Sequence, residues 1–410
     1  MICPRCFTAA TSARGATPWC PSCEWNLDHF EPSRRRPELG WRWADRATHR
    51  VAWRLTAGQF VRLADGPLRR RGASAARAVT LTVAVLLLLL VALFAGLGTW
   101  LILYDFPRFT ILPGVALLGM AVALRPRVGG LAEETHLLDR DEAPELWALV
   151  DRVAAHTGAP VPHFVGLDYS LGAYTTVVGL RRRRVLCLGA VLWSALDQQE
   201  RVALLGHELG HFVNGDLRRG PLVQIALTTL GRMAEMTRPG QSGLNGFVDL
   251  LVGIVQGLLS RLILGVHLLV VWIGQRDAQR AEYLADEIGA RAAGSAAAVR
   301  LLDVLLMQEA LETVIRREAR AGRSGAAWRT AAAVARASLA AAVPALRQLS
   351  QRDETSLFAS HPPTGLRARM LERRPQQPAG VVLTEQQAER IDREIAGPVE
   401  RIRRDLATAG

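Results

Sequence analysis

Not one of the 410 residues is lysine, so the formal charge of +12 and the pI near 10.8 rest on arginine alone. With the abundance of alanine this fits a GC-rich bacterial genome and says nothing of function. Internal repeats and low-complexity tracts are also missing, which sets aside solenoid and array architectures. Charge is missing from one long stretch. Val79 to Leu103 is 25 residues without a charged side chain, long enough to cross ~30 Å of hydrocarbon as a helix. The run lacks a small-residue cleavage site, begins far from Met1, and exceeds the ~7–15 apolar residues of a secretory leader. It therefore reads as a transmembrane helix.

A strongly basic chain is a candidate for nucleic acid, because basic surfaces attract phosphate. Here the arginines bracket apolar runs instead. Arg69, Arg70, Arg71 and Arg77 precede the first run, and Arg125 and Arg127 follow the second, Phe109 to Leu124, with only Tyr104 to Arg108 between them. Positive flanks stay cytoplasmic. Residues 79–124 are expected to form a helical hairpin in a bacterial plasma membrane with both chain ends in the cytoplasm, and nucleic acid is not expected as a partner. The second run is short and contains Pro113, so it is open to a re-entrant or tilted path.

Cysteine is scarce, five in all, and four of them form two knuckles: Cys3-Pro-Arg-Cys6 and Cys20-Pro-Ser-Cys23, 13 residues apart. Paired C-x-x-C knuckles supply four thiolates for a structural zinc, so residues 1–30 are expected to be a zinc ribbon. Two disulfides would need an oxidising compartment. Cys187, in Val185-Leu-Cys-Leu-Gly, reads as a buried strand residue. Residues 31–68 follow as a proline- and arginine-rich linker, Glu31 to Gly40, and a helix. In that helix Arg42, Arg46, Arg50 and Arg54 form one face and Trp43, Ala47, Val51 and Leu55 the adjacent stripe. It is suited either to an anionic membrane surface or to packing on the ribbon.

Beyond the hairpin, residues 130–375 carry the chemistry. Ala143 to Ala155 has helical spacing, and two β-like stretches, Gly172 to Leu180 and Val185 to Leu188, flank a charged turn, Arg181 to Arg184. Asp197-Gln-Gln-Glu then begins a helix that runs to His211. Within it, His207-Glu208-Leu209-Gly210-His211 puts two imidazoles on one face at positions i and i+4, with Glu208 beside them to take a proton from water. A catalytic zinc needs a third protein ligand, and the nearby third histidine of one metalloprotease class is absent. Glu282, in Glu282-Tyr-Leu-Ala-Asp286, fits that place, and Asp286 one turn on can accept the free N–H of a ligating histidine. Taken alone, both acids also suit a solvated helix face. An apolar segment, 246–274, interrupted by Asp249, Arg261 and His267, is either one polar-marked membrane helix or a pair that only partly enters the bilayer. Ser295 to Leu349 is helix-forming with breaks at Gly322, Gly325 and Pro344, and Thr384-Glu-Gln-Gln opens a last amphipathic helix over 381–406 with a capping box.

The order H-E-L-G-H with Asp216 five residues on, then E-Y-L-A-D after an apolar stretch, then Ser360-His361-Pro362-Pro363-Thr364 with Arg367, resembles the integral-membrane gluzincins of the HtpX and CAAX prenyl protease 1 groups. The resemblance covers residues 75 to 375. It implies a mainly α (α+β), membrane-anchored fold with a small antiparallel sheet over the H-E-x-x-H helix. It implies Zn2+ as cofactor, Glu282 as third ligand, Glu208 as base, and His361 and Arg367 in contact with substrate or the tetrahedral intermediate. Where those proteins usually have Asn-Ala at the start of the strand before the H-E-x-x-H helix, this chain has Gly172-Ala173, so a side-chain amide is missing. Gly172, Ala173 and Tyr174 can still open a strand that accepts extended peptide through main-chain groups. Polypeptide substrates, misfolded or membrane-associated, and the lipid bilayer are the implied partners, with a further protein partner at the ribbon. The rival reading, a non-catalytic membrane scaffold that works through the ribbon, predicts damaged metal ligands, and all three are intact.

Overall fold

The computed structural model describes residues 1–33, 38–39, 41–64, 66, 68, 75–104, 108–125, 130–131, 134–179, 181–215, 229–233, 235–237 and 247–408. Asp216, Arg69, Arg70, Arg71 and Arg127 lie outside the described residues. The chain divides into two compact units: Met1–Arg70, Gly130–Leu217 and Ala278–Gly410 form the first, Arg71–Gly129 and Arg218–Asp277 the second.

In the second unit, α2 (Ala75–Leu103) and α3 (Ile111–Leu124) pack as a hairpin. They meet at glycines: a Cβ on Gly98 would lie 2.8 Å from the carbonyl oxygen of Gly114. Such close backbone approach is how apolar helices associate without a hydrophobic driving force. Ala78–Leu103 is long and apolar enough to cross a membrane, as is Leu251–Ala293, whereas Ile111–Leu124 is shorter. From Phe247 on, the apolar segment belongs to one continuous helix, α7 (Phe247–Ala293), which also carries Glu282 and Asp286.

In the first unit, α1 (Arg42–Ala64) buries Asp45, His49, Ala52, Thr56, Phe60 and Leu63. That face is offset from the stripe read in the sequence, and Trp43 and Val51 are exposed. Phe60 and Leu63 pack on Tyr283, Leu366 and Met370, and Trp53 packs on the ribbon. The sheet has four strands in the order β1 (His136–Leu138), β2 (Phe164–Asp168), β4 (Arg183–Gly189), β3 (Ala173–Val178). It is mixed, not wholly antiparallel. The expected hairpin β3–β4 is antiparallel, but β2 pairs parallel to β4 and β1 antiparallel to β2. Neither β1 nor β2 alternates clearly enough in sequence to announce itself. Between β1 and β2 runs α4 (Pro144–Thr157), started by proline and stopped by Gly158 at φ 69°.

After β4, α5 (Ala190–Ala195) leads into α6 (Gln198–Asn214). Glu200 closes a capping box by accepting from the Asp197 amide at 2.9 Å, and Gly215 at φ 73° ends the helix. Helices α8 (Ser295–Leu305), α9 (Gln308–Arg320), α10 (Ala326–Leu339), α11 (Val343–Asp353) and α12 (Thr364–Arg373) follow. Pro344 sits in the first turn of α11, where its missing N–H costs nothing. The C-terminal segment is two helices, α13 (Glu385–Glu394) and α14 (Ala396–Thr408), the former opened by the Thr384 capping box. The core gathers Leu146, Leu149, Val165, Leu186, Trp193, Val202, Leu205 and Leu301 around α6 and the sheet.

Candidate metal centre and its cleft

Two helices make the site, and small residues let them meet. A Cβ on Gly206 would lie 2.9 Å from Cα of Gly289, one on Gly210 3.0 Å from Cα of Ala285, and one on Gly289 2.9 Å from the Ala203 carbonyl. The seam of Ala203, Gly206 and Gly210 on α6 against Ala285 and Gly289 on α7 brings the two backbones close enough for short side chains to converge. Sequence reasoning missed this seam, although Ala203, Gly206 and Gly210 at i, i+3 and i+7 mark one helix face.

The convergence is at His207, His211 and Glu282, whose donor atoms all lie within 4.8 Å of one another. His207 Nε2 is 3.5 Å from Glu282 Oε2, and His211 Nε2 is 3.6 Å from Glu282 Oε1. Zinc bonds of ~2.0–2.2 Å arranged tetrahedrally place neighbouring donors ~3.3–3.5 Å apart, so the set fits one zinc. His361 Nδ1 comes to 2.9 Å of Glu282 Oε2, yet off the hydrogen-bonding direction, and that oxygen is buried with no hydrogen-bond partner. A buried carboxylate that turns one oxygen to His207 and the other to His211, with Oε2 lacking a hydrogen bond, has the arrangement of a metal ligand. Burial pushes the Glu282 carboxyl up, but the His361 ring and the charge of Arg367 outweigh it and hold the group ionised, well below the usual carboxylate range.

Behind the donors lies a second layer. Asp286 Oδ1 is 2.9 Å from His207 Nδ1, so that nitrogen carries the proton and Nε2 presents its lone pair to the metal position. Arg367 grips the same carboxylate with both ends of its fork, Nη2 to Oδ1 at 2.6 Å and Nε to Oδ2 at 2.8 Å. Burial would raise Asp286 and lower Arg367; instead their mutual charge holds Asp286 below its ordinary value and lifts Arg367 above its own. The sequence resemblance assigned Arg367 to substrate along with His361. Both line the same cleft, but in different surroundings: His361 is exposed, with 62% of its side chain accessible, while Arg367 is buried on Asp286.

These groups border a cleft of about 540 Å³ lined by Gly172, Ala173, His207, Glu208, Glu282 and His361, with an apolar wall that includes Leu204 and Leu301. Gln308 and Glu354, which sequence reasoning passed over, also face it. Strand β3 is one of the sheet's two edges, and Thr175 hydroxyl donates to the Glu208 carbonyl at 3.4 Å, so the strand lies along the metal helix. Ala173 faces the cleft. Tyr174, pointing the other way as alternation demands, pairs with Cys187 across β4, where burial pushes the Cys187 thiol up to about 12. Gln279 holds the turn before His361 by donating to the Ala359 carbonyl at 3.0 Å.

Cys3, Cys6, Cys20 and Cys23 gather as a second donor cluster. The sulfurs of Cys3 and Cys23 are 3.6 Å apart and those of Cys6 and Cys20 3.4 Å. Disulfide sulfurs sit ~2.05 Å apart, whereas four thiolates ~2.3 Å from zinc are ~3.8 Å from one another, so the cluster fits a metal and not a pair of crosslinks.

Residues 140–375, more than half the chain, match the model of peptidase family M48. Among curated proteins, the chain is 27% identical over 131 residues to a protease HtpX homolog of Methanothermobacter thermautotrophicus, covering 32% of this chain and 48% of that protein. It is 29% identical over 182 residues to protease HtpX of Pseudomonas putida strain W619, covering 41% of this chain and 58% of the relative. A protease HtpX homolog of Desulfotalea psychrophila is 29% identical over 202 residues, 44% of this chain and 68% of its own. The chain thus spans about half the length of the first of these relatives. No solved structure matches. The matched span contains the helix crossing, both histidines, Glu282 and Arg367, and the chain belongs to peptidase family M48.

Proposed function

We propose that the chain is a membrane-embedded zinc endopeptidase that hydrolyses peptide bonds of misfolded or membrane-associated polypeptides. The observation that carries this reading is the union in one cleft of a three-donor metal cluster, an adjacent carboxylate that is not a donor, and an exposed strand edge. An extended substrate segment adds to β3 through main-chain hydrogen bonds, so the glycine at 172 in place of asparagine removes a side-chain contact and leaves the ladder. His207, His211 and Glu282 would hold zinc, which when bound would supply Lewis-acid polarisation of the scissile carbonyl and acidify water. Glu208 takes the proton from the attacking water and returns it to the leaving amine. His361, exposed at the mouth of the cleft, donates to the oxygen on which charge develops. Asp286 and Arg367 fix the tautomer and the orientation of His207.

Purified in detergent, the zinc-loaded protein should degrade casein and hold two zinc ions per chain, one for each donor cluster. A preparation that carries both metals and leaves unfolded substrates intact overturns the peptidase reading in favour of a scaffold.

Arginine flanks such as Arg125 support a cytoplasmic side for the ribbon and the metal centre. Reporter fusions after Asn26 and after Pro378 should both give cytoplasmic signals; a periplasmic signal at either position refutes this topology.

A further inference from the structure

Arg352, in the last turn of α11, is 1% exposed. A guanidinium so deeply buried needs matched acceptors, and the N-terminal ribbon provides them. Nη2 donates to the Asn26 carbonyl at 2.7 Å, Nη1 to the Thr17 carbonyl at 2.8 Å, and Nε to the Leu27 carbonyl at 3.2 Å. The Trp19 ring lies 5.2 Å from its Cζ. One turn earlier, Gln348 accepts from Trp19 Nε1 at 2.8 Å and donates to the Pro21 carbonyl at 2.9 Å. Leu349 completes the ribbon's small core of Ala16, Trp19 and Leu27.

The same helix grips the catalytic turn from its other side. Ser350 Oγ accepts from the Gly365 amide at 2.8 Å, and Gly365 lies so near the Arg347 carbonyl that any Cβ would overlap it. Glu354, just past the helix, accepts from both the amide and the hydroxyl of Thr364, at 2.6 and 2.9 Å. Thr364 begins α12, which carries Arg367 to Asp286 and His207, and His361 stands three residues before it. Thus α11 is held between the ribbon and the turn that carries His361.

The ribbon has too few apolar residues to hold its shape without its metal. Cys20 and Cys23 bracket Pro21, and Trp19 and Asn26 flank them, so the thiolate cluster shapes the loop that receives Arg352 and Gln348. We propose that the ribbon is a positioning part of the peptidase site: with its own metal bound it clamps α11, and Ser350 and Glu354 carry that constraint to His361 and Arg367. Ribbon occupancy then sets both the affinity for the catalytic zinc and the turnover, without giving the catalytic zinc a ligand. The turnover part rests on the peptidase reading; the affinity part does not.

The test uses the full chain in detergent and compares wild type, Arg352→Ala with all ribbon cysteines kept, C20S/C23S, and the combination. Catalytic-zinc dissociation is measured by chelator competition, kcat and KM on a casein-derived peptide at zinc saturation, and cooperative thermal unfolding shows that each variant is folded. Each change should weaken catalytic-zinc binding and lower kcat by roughly tenfold, with KM within about twofold of wild type. The combination should be no worse than either alone, because both break one link. Should C20S/C23S fail to fold, Arg352→Lys carries the test, since an ammonium lacks the fixed fork that reaches three carbonyls. Zinc affinity and kcat within about twofold of wild type, or losses that multiply in the combination, overturn the proposal. If wild type cleaves nothing while its zinc affinity still responds to Arg352, the peptidase reading falls and the coupling stands; if wild type cleaves and neither quantity moves, the coupling alone falls.

Discussion

Glu208→Gln is expected to keep both zinc ions and to lower kcat for casein by about 10²–10⁴. Glu208 follows His207 on α6, is 5% exposed and lines the cleft, yet it stands outside the three-donor cluster. Glutamine fills the same space, so the packing of α6 on α7 at Gly206 and Gly210 should persist and the metal with it. What glutamine cannot do is accept a proton from water. Metal analysis and turnover on one preparation therefore separate the roles. Turnover near wild type would assign the base to another group, with His361 the obvious successor beside Glu282. Loss of the catalytic zinc would make Glu208 part of the metal's support.

The four residues of that core, His207, Glu208, His211 and Glu282, were legible because their chemistry depends on local spacing: i and i+4 on a helix face need no tertiary information. Glu282 needed one further step, that two histidines leave zinc a ligand short. The sheet was legible only where it is local. The β3–β4 hairpin shows its alternation and its charged turn, whereas β2 joins β4 in parallel through a long connection that leaves no short-range mark. The stripe on α1 was misplaced for a related reason. Trp43 and Val51 looked like the apolar face, but the helix buries Asp45, His49 and Thr56, because Leu39 N donates to Asp45 at 2.8 Å and His49 meets the Asp28 carbonyl at 3.2 Å. Buried polar contacts of that kind are invisible to hydrophobic periodicity. Arg352, Gln348 and Glu354 escaped notice on the same ground, since each acts through carbonyls or amides distant in sequence.

His361 and Arg367, paired by their motif, are expected to part company under mutation. Arg367→Ala removes the cation that grips Asp286 at two points and leaves a carboxylate 5% exposed beside His207. An uncompensated buried charge of that sort costs about 3–5 kcal/mol, and loss of the group that orients a ligand's own partner lowers metal affinity by ~10–100-fold. The variant should melt earlier and release its catalytic zinc to a chelator that wild type resists, and much of its turnover should return at saturating zinc. Arg367→Lys should recover little, since an ammonium cannot hold both carboxylate oxygens in the fork geometry. His361→Ala should behave in the opposite way. Its side chain is largely exposed and its nearest partner, Glu282, keeps both imidazoles as neighbours, so stability and zinc affinity should stay near wild type while kcat falls by ~10²–10³ as an oxyanion donor is lost. Added zinc should not rescue it. Titrating zinc into both variants while following turnover distinguishes the two residues in one experiment: a rescue curve for Arg367→Ala and a flat one for His361→Ala. Two flat curves would return Arg367 to the substrate side of the cleft, and two rescue curves would make His361 a support of Glu282 and leave the developing charge to another donor.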